Sequence, residues 1–155
     1  MLKRVSQLLL ASLSALLLTA TSASPAHSTD YGGDGSPLNC GYSYRVGQVF
    51  PVKTWTGRVL GYTELRWSYN CGGVNWVRTW GVNGTTWAQY DQFVYEASNP
   101  SHRAQSNDFT GQSGAFSNFI RVSPSARVCF GSSMRSNLTP AGVGWAVSGG
   151  VHCYS

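Results

Sequence analysis

Beyond residue 26 the chain has no sustained helical period of apolar residues; what recurs is two-residue alternation in short runs punctuated by glycine. Alternation with a period of two places successive side chains on opposite faces of a pleated strand, so such a chain builds sheets. Gln48 to Trp55 and Arg58 to Trp67 are rich in Val, Thr, Tyr and Trp with Gly57 between them, the pattern of a hairpin. In its second arm Leu65 and Trp67 share one side, while Glu64 and Arg66 lie together on the other. Asn75 to Trp80 continues with Trp76, Arg78 and Trp80 on one face, and Asn83-Gly84 is a strong turn dipeptide. Thr85 to Ala97 reads as a strand pair or one long strand. Ser98 to Ser113 is polar, contains Asn99-Pro100, and reads as a loop. Phe116 to Val122, Arg127 to Phe130 and Val143 to Cys153 supply the last strands, with Gly142, Gly144, Gly149 and Gly150 at turns or bulges. The expected fold is all-β: a small disulfide-stapled sandwich or barrel of six to eight short strands, preceded by an extended N-terminal tail.

Composition agrees. Of 155 residues only 11% are charged, against 13% aromatic and 18 glycines. That balance argues against disorder, a coiled coil or a helical bundle.

Lys3 and Arg4, the apolar run Leu8 to Ala20, and the small residues Thr21, Ser22, Ala23, Ser24 and Ala26 form a secretory leader. The apolar run is too short for the ~20 residues that span a bilayer, so no membrane span is expected. Cleavage after Ala26, or after Ala23, leaves a tail over residues 27–39 and a single β domain over 40–155, secreted to the cell exterior. Losing Lys3 and Arg4 lowers the formal charge from +5 to about +3, too mild for binding nucleic acid by phosphate neutralisation.

All four cysteines, Cys40, Cys71, Cys129 and Cys153, lie in the exported part, so two disulfides are expected. Three connectivities are open; the sequence-local one pairs Cys40 with Cys71 and Cys129 with Cys153. No pair has the short spacing of a zinc or redox site, so neither a metal nor a cofactor is expected.

Catalytic residue types are present without a spacing that joins them. His102 lies in the polar segment and His152 beside Cys153. A glycosidase needs two positioned carboxylates, and the candidates Glu64, Asp91, Glu96 and Asp108 form no such pair; Glu64, two residues from Arg66 on one strand face, reads as half of an ion pair. A ribonuclease needs a Glu base, a His acid and Arg clamps. Exposed aromatics offer another route to function: Trp55, Trp67, Trp76, Trp80, Trp87 and Trp145 exceed what one small core buries, and Trp and Tyr beside Arg make good protein anchors or sugar platforms.

The stretch Glu64-Leu65-Arg66-Trp67-Ser68-Tyr69-Asn70-Cys71, continuing to Asn75-Trp76-Val77-Arg78, resembles the YjfA-like family of small secreted proteins of actinobacteria and related Gram-positive bacteria. Asp34-Gly35-Ser36-Pro37 ahead of Cys40 resembles that family's first segment. The likeness covers about residues 34–78 and Cys153. It implies a secreted, disulfide-bonded β domain without known enzymatic activity, similar to the adaptor subunit of umbrella-shaped toxin particles, which ties a lectin-like subunit to a toxin polypeptide.

The resulting expectation is a non-catalytic secreted interaction protein, an adaptor linking other secreted subunits, with no enzyme activity. Partner contacts are expected at Tyr31, Asp34, Gly35 and Pro37 in the tail, and at Arg66, Trp76, Arg78 and Trp80 on the strands. The alternatives are a carbohydrate or cell-wall binding module and a small ribonuclease-type toxin.

Overall fold

The computed structural model describes residues 42–110 and 114–155, leaving aside the side chains of Cys71 and residues 106–110. The segments expected to form a leader and a tail, and with them Tyr31, Asp34, Gly35, Pro37 and the expected Cys40–Cys71 pairing, lie outside the described residues. Among the described residues ten strands follow in order: β1 Tyr44–Lys53, β2 Val59–Ser68, β3 Val74–Gly81, β4 Ala88–Glu96, β5 Asn99–Thr110, β6 Gly114–Phe116, β7 Ile120–Arg121, β8 Val128–Ser136, β9 Ala146–Val147 and β10 His152–Tyr154. They make one antiparallel sheet in the order β5-β4-β8-β9-β1-β2-β3-β6, with β10 on β8 and β7 on β3. The sheet curls into a half-barrel, the all-β architecture anticipated from the alternation.

The hairpin forms β1 and β2, and its turn is fixed by its own polar groups. Thr54 N–H donates to Arg58 O at 2.9 Å, Gly57 N–H donates to Thr54 O at 2.9 Å, and Thr54 Oγ1 accepts from Arg58 N–H at 3.1 Å. Gly57 takes φ 86°, a left-handed conformation that suits glycine. Thr85 to Ala97 resolves as one strand, β4.

Ser98 to Ser113, read as a loop, is instead mostly β5, a twelve-residue strand paired with β4 from Glu96↔Asn99 to Ala88↔Thr110. Its polar side chains are no obstacle, because the backbone ladder holds the strand and Pro100 sits at its start, where a missing donor is tolerated.

Two apolar clusters fill the curl. One joins Leu65, Val77, Val94, Ile120 and Phe130; the other joins Val52, Leu60, Tyr90, Met134 and Ala146. A buried polar band also crosses the interior. Thr63 and Thr79, cross-strand partners, share a 3.1 Å hydroxyl contact, and Gln92 Nε2 donates to Thr79 Oγ1 at 2.8 Å and Ala115 O at 3.1 Å. Gln92 thereby ties β4 to the β3–β6 side, and Asn118 Nδ2 donating to Gln105 O at 3.2 Å does the same for β5.

Each residue of the C-terminal strand β10 is tied to the rest of the fold. Cys129 and Cys153 form the expected disulfide and are register partners of β8 and β10. His152 stacks on Phe50 with centroids 3.4 Å apart, and its Nε2 donates to Ser148 O at 2.8 Å. The Tyr154 hydroxyl accepts from Gln48 N–H at 2.9 Å, and its ring occupies the space that a Cβ on Gly47 would need.

Candidate functional site

The outer wall of β1, β2 and β3 carries an ordered row of side chains. Register pairs Tyr62 with Trp80, Glu64 with Arg78, Arg66 with Trp76, and Pro51 with Tyr62. Glu64 is only 4% exposed. Its Oε1 accepts from Arg66 Nη1 at 3.1 Å and lies 3.6 Å from Arg78 Nη1. Arg66 Nη2 also donates to Ser43 O and Ser43 Oγ, each at 2.8 Å, so this guanidinium is held on several sides. The Arg78 guanidinium lies 4.9 Å from the Trp80 ring centre, and the Trp80 and Tyr62 rings are 6.0 Å apart. Tyr62, Trp80, Gly81, Val82 and Asn83 border an open depression of about 410 Å³.

Arg66, Arg78 and Trp80, expected on one surface, lie together there: Glu64 gathers the two arginines, and Arg78 lies over Trp80. Trp76 is not. It shares their face, as the alternation requires, but it is fully buried against Phe119 and Val74 because the segment running from β6 to β7 covers that end of β3. A surface role for Trp76 is therefore corrected to a core role.

A second aromatic surface adjoins the first across Pro51. Trp55, at the tip of the β1–β2 turn, is 82% exposed, and Trp145, just before β9, is 37% exposed. With Pro51, Lys53, Thr54, Val147, Ser148 and Gly149 they line an open groove of about 350 Å³. The Arg135 guanidinium lies 5.5 Å from the Trp145 ring centre, and its Nε donates to Gln89 Oε1 at 2.8 Å. The alternation put Trp55 at the end of the first hairpin arm and Trp145 inside the last strand segment, whereas β1 ends at Lys53 and β9 begins at Ala146, which leaves both tryptophans outside the strands. Trp55 was findable, because a tryptophan inside a Thr-Trp-Thr-Gly turn sits where loops meet solvent.

At the open end of the curl Tyr42, Tyr44 and Tyr69 are exposed and meet edge to face, Tyr42–Tyr44 at 5.4 Å and Tyr44–Tyr69 at 6.3 Å. Tyr69 also lines a mouth of about 290 Å³ with Trp67, Pro124 and Tyr154 among others.

The histidines have structural partners. His102 Nδ1 donates to Glu96 Oε2 at 3.0 Å, and Ser98 Oγ donates to Glu96 Oε1 at 2.7 Å. Those two bonds hold the Glu96 carboxyl below the usual carboxylate range, His102 contributing most. The carboxylate stands between hydroxyl and imidazole, which is not the nucleophile–base–acid order that activates a serine. Burial pushes the Tyr90 hydroxyl up to about 12, against a smaller opposing contribution from the Gly81 backbone. Among the described residues no group of three or more His, Cys, Asp or Glu is placed to hold a metal ion, and no helix is long and apolar enough to cross a membrane.

Fold and surface together define a disulfide-stapled antiparallel β half-barrel with an aromatic and arginine-bearing outer wall. No protein-family model, curated protein or solved structure matches this chain.

Proposed function

We propose that this chain is a non-catalytic secreted interaction protein, an adaptor that joins other secreted subunits, lectin-like and toxin subunits among them. The observation that carries the reading is the preordered Tyr62–Trp80–Arg78 surface behind a buried carboxylate. Trp, Tyr and Arg dominate the binding energy of protein interfaces, chiefly when they are held in place before the partner arrives. Here rigid strands fix the backbone, Glu64 orients Arg78, and Arg78 lies over Trp80. The arginines are suited to planar contacts with a partner's carboxylates. In this reading the N-terminal segment with Tyr31, Asp34, Gly35 and Pro37 supplies a second contact, added as an extended peptide to another subunit.

Affinity capture of the tagged chain from culture supernatant tests the reading. Intact protein is expected to bring down defined secreted subunits, identified by mass spectrometry. The Arg78→Ala/Trp80→Ala variant loses one of them while keeping its melting temperature within a few degrees. Recovery of the same subunits by both proteins overturns the assigned surface.

A further inference from the structure

The groove between Trp55 and Trp145 has a different character from the wall beside it. Its floor is apolar, formed by Pro51 and Val147, and both flanking indoles are exposed. The neutral hydrogen-bonding side chains along it are already engaged. Thr54 Oγ1 accepts from Arg58 N–H and meets Thr56 Oγ1 at 2.8 Å; Ser148 Oγ accepts from Ser132 N–H at 3.1 Å and donates to Gly150 O at 3.2 Å. The charge is one-sided: Lys53 lines the groove, Arg135 lies over Trp145, and no carboxylate is among the lining residues. Asp91, on β4, pairs with Ser133, the register partner of Val147; it accepts from Gln105 Nε2 at 3.1 Å and borders an adjoining depression with Val147 and Ser148.

We propose that this groove binds an acidic saccharide, with a pyranose ring against the Trp55 and Trp145 indoles and its anionic group toward Lys53 and Arg135. A sugar ring has an apolar C–H face that lies on an indole and a rim of hydroxyls that must stay solvated. A groove open along its side satisfies both, whereas a wholly apolar ligand is favoured by an enclosed pocket. Two cations, Lys53 and Arg135, against the single carboxylate of Asp91, which Gln105 already engages, favour a carboxylate, sulfate or phosphate on that sugar over a neutral one. The Thr54–Arg58 turn holds the Trp55 backbone in place before binding, which lowers the ordering cost.

The test titrates the whole secreted chain with tetragalacturonate, its methyl ester, a sulfated tetrasaccharide, a phosphate-bearing tetrasaccharide and a neutral cellotetraose, reading indole N–H shifts by NMR. Binding of at least one acidic saccharide is expected, several-fold tighter than the neutral forms and weakening as salt rises. Trp55→Ala lowers that affinity about tenfold, the scale of one lost stacking partner. Lys53→Gln reduces the preference for the charged form, and Arg127→Ala, an exposed cation elsewhere, changes nothing. Trp55 is solvent-exposed, so its truncation leaves the fold intact, which the melting temperature verifies. Equal binding of charged and neutral forms overturns the proposal. So does a failure of every saccharide to bind, or loss of a protein subunit from the captured complex on Trp55→Ala.

Discussion

Replacing Glu64 with Gln tests the outer wall most closely, because the substitution keeps shape and removes charge. The carboxylate is 4% exposed, with Arg66 at 3.1 Å and Arg78 at 3.6 Å. At those separations each charge pair is worth about 5 kcal/mol gross in a medium of effective dielectric about 20. Much of that offsets the cost of taking the acid out of water. The Arg78 side chain is 47% exposed, so solvent screens its share to below about 1 kcal/mol. Arg66, 21% exposed and held also by Ser43, carries the larger part. The expected loss is about 2 kcal/mol, a fall in melting temperature of roughly 7 °C for a domain of this size. Calorimetry of both proteins at pH 7 measures it directly. A double-mutant cycle with Arg66→Gln is expected to give a larger coupling than one with Arg78→Gln. A loss below about 0.5 kcal/mol, or the reverse order of couplings, refutes the claim that this carboxylate organises the wall.

Removing the Cys129–Cys153 bridge as a paired Ser variant frees a loop with a sequence separation of 24, and chemical denaturation is expected to record about 3 kcal/mol of lost stability. Burial raises Tyr90 from 10.0 to about 12, so the folded state favours the neutral phenol. Its contribution is complete below pH 10 and is lost as pH climbs from 10 toward 12, on the order of 2 kcal/mol, and Tyr90→Phe flattens that limb of the stability profile. Gly47→Ala meets the Tyr154 ring at a backbone φ of 69° and is expected to cost more than about 2 kcal/mol. Adding Tyr154→Ala recovers part of the steric share, visible as non-additive unfolding energies.

Much of the fold was legible because alternation reports facing. Leu65 points to the core while Glu64 and Arg66 pair outside, as their parity requires. Parity does not report what covers a face. Trp76, Arg78 and Trp80 alternate correctly along β3, yet Phe119 closes over Trp76 from a segment more than 40 residues away, and no local pattern announces that contact. Similarly, β5 is held by its ladder to β4, so its polar side chains disguised a strand as a loop. The groove at Trp55 and Trp145 joins the β1–β2 turn to the approach to β9, a proximity created by the short pairing of Lys53 with Val147. Residue types were visible in the sequence, but their adjacency required the sheet order.

Native mass spectrometry of the species carrying this chain, taken from culture medium without denaturation, weighs the central idea on a single scale. The adaptor account predicts a mass set by this chain plus at least one different secreted polypeptide, with the complex dissociating when Arg78 and Trp80 are both changed to alanine. A spectrum containing the bare chain alone, at concentrations matching those in the medium, contradicts it.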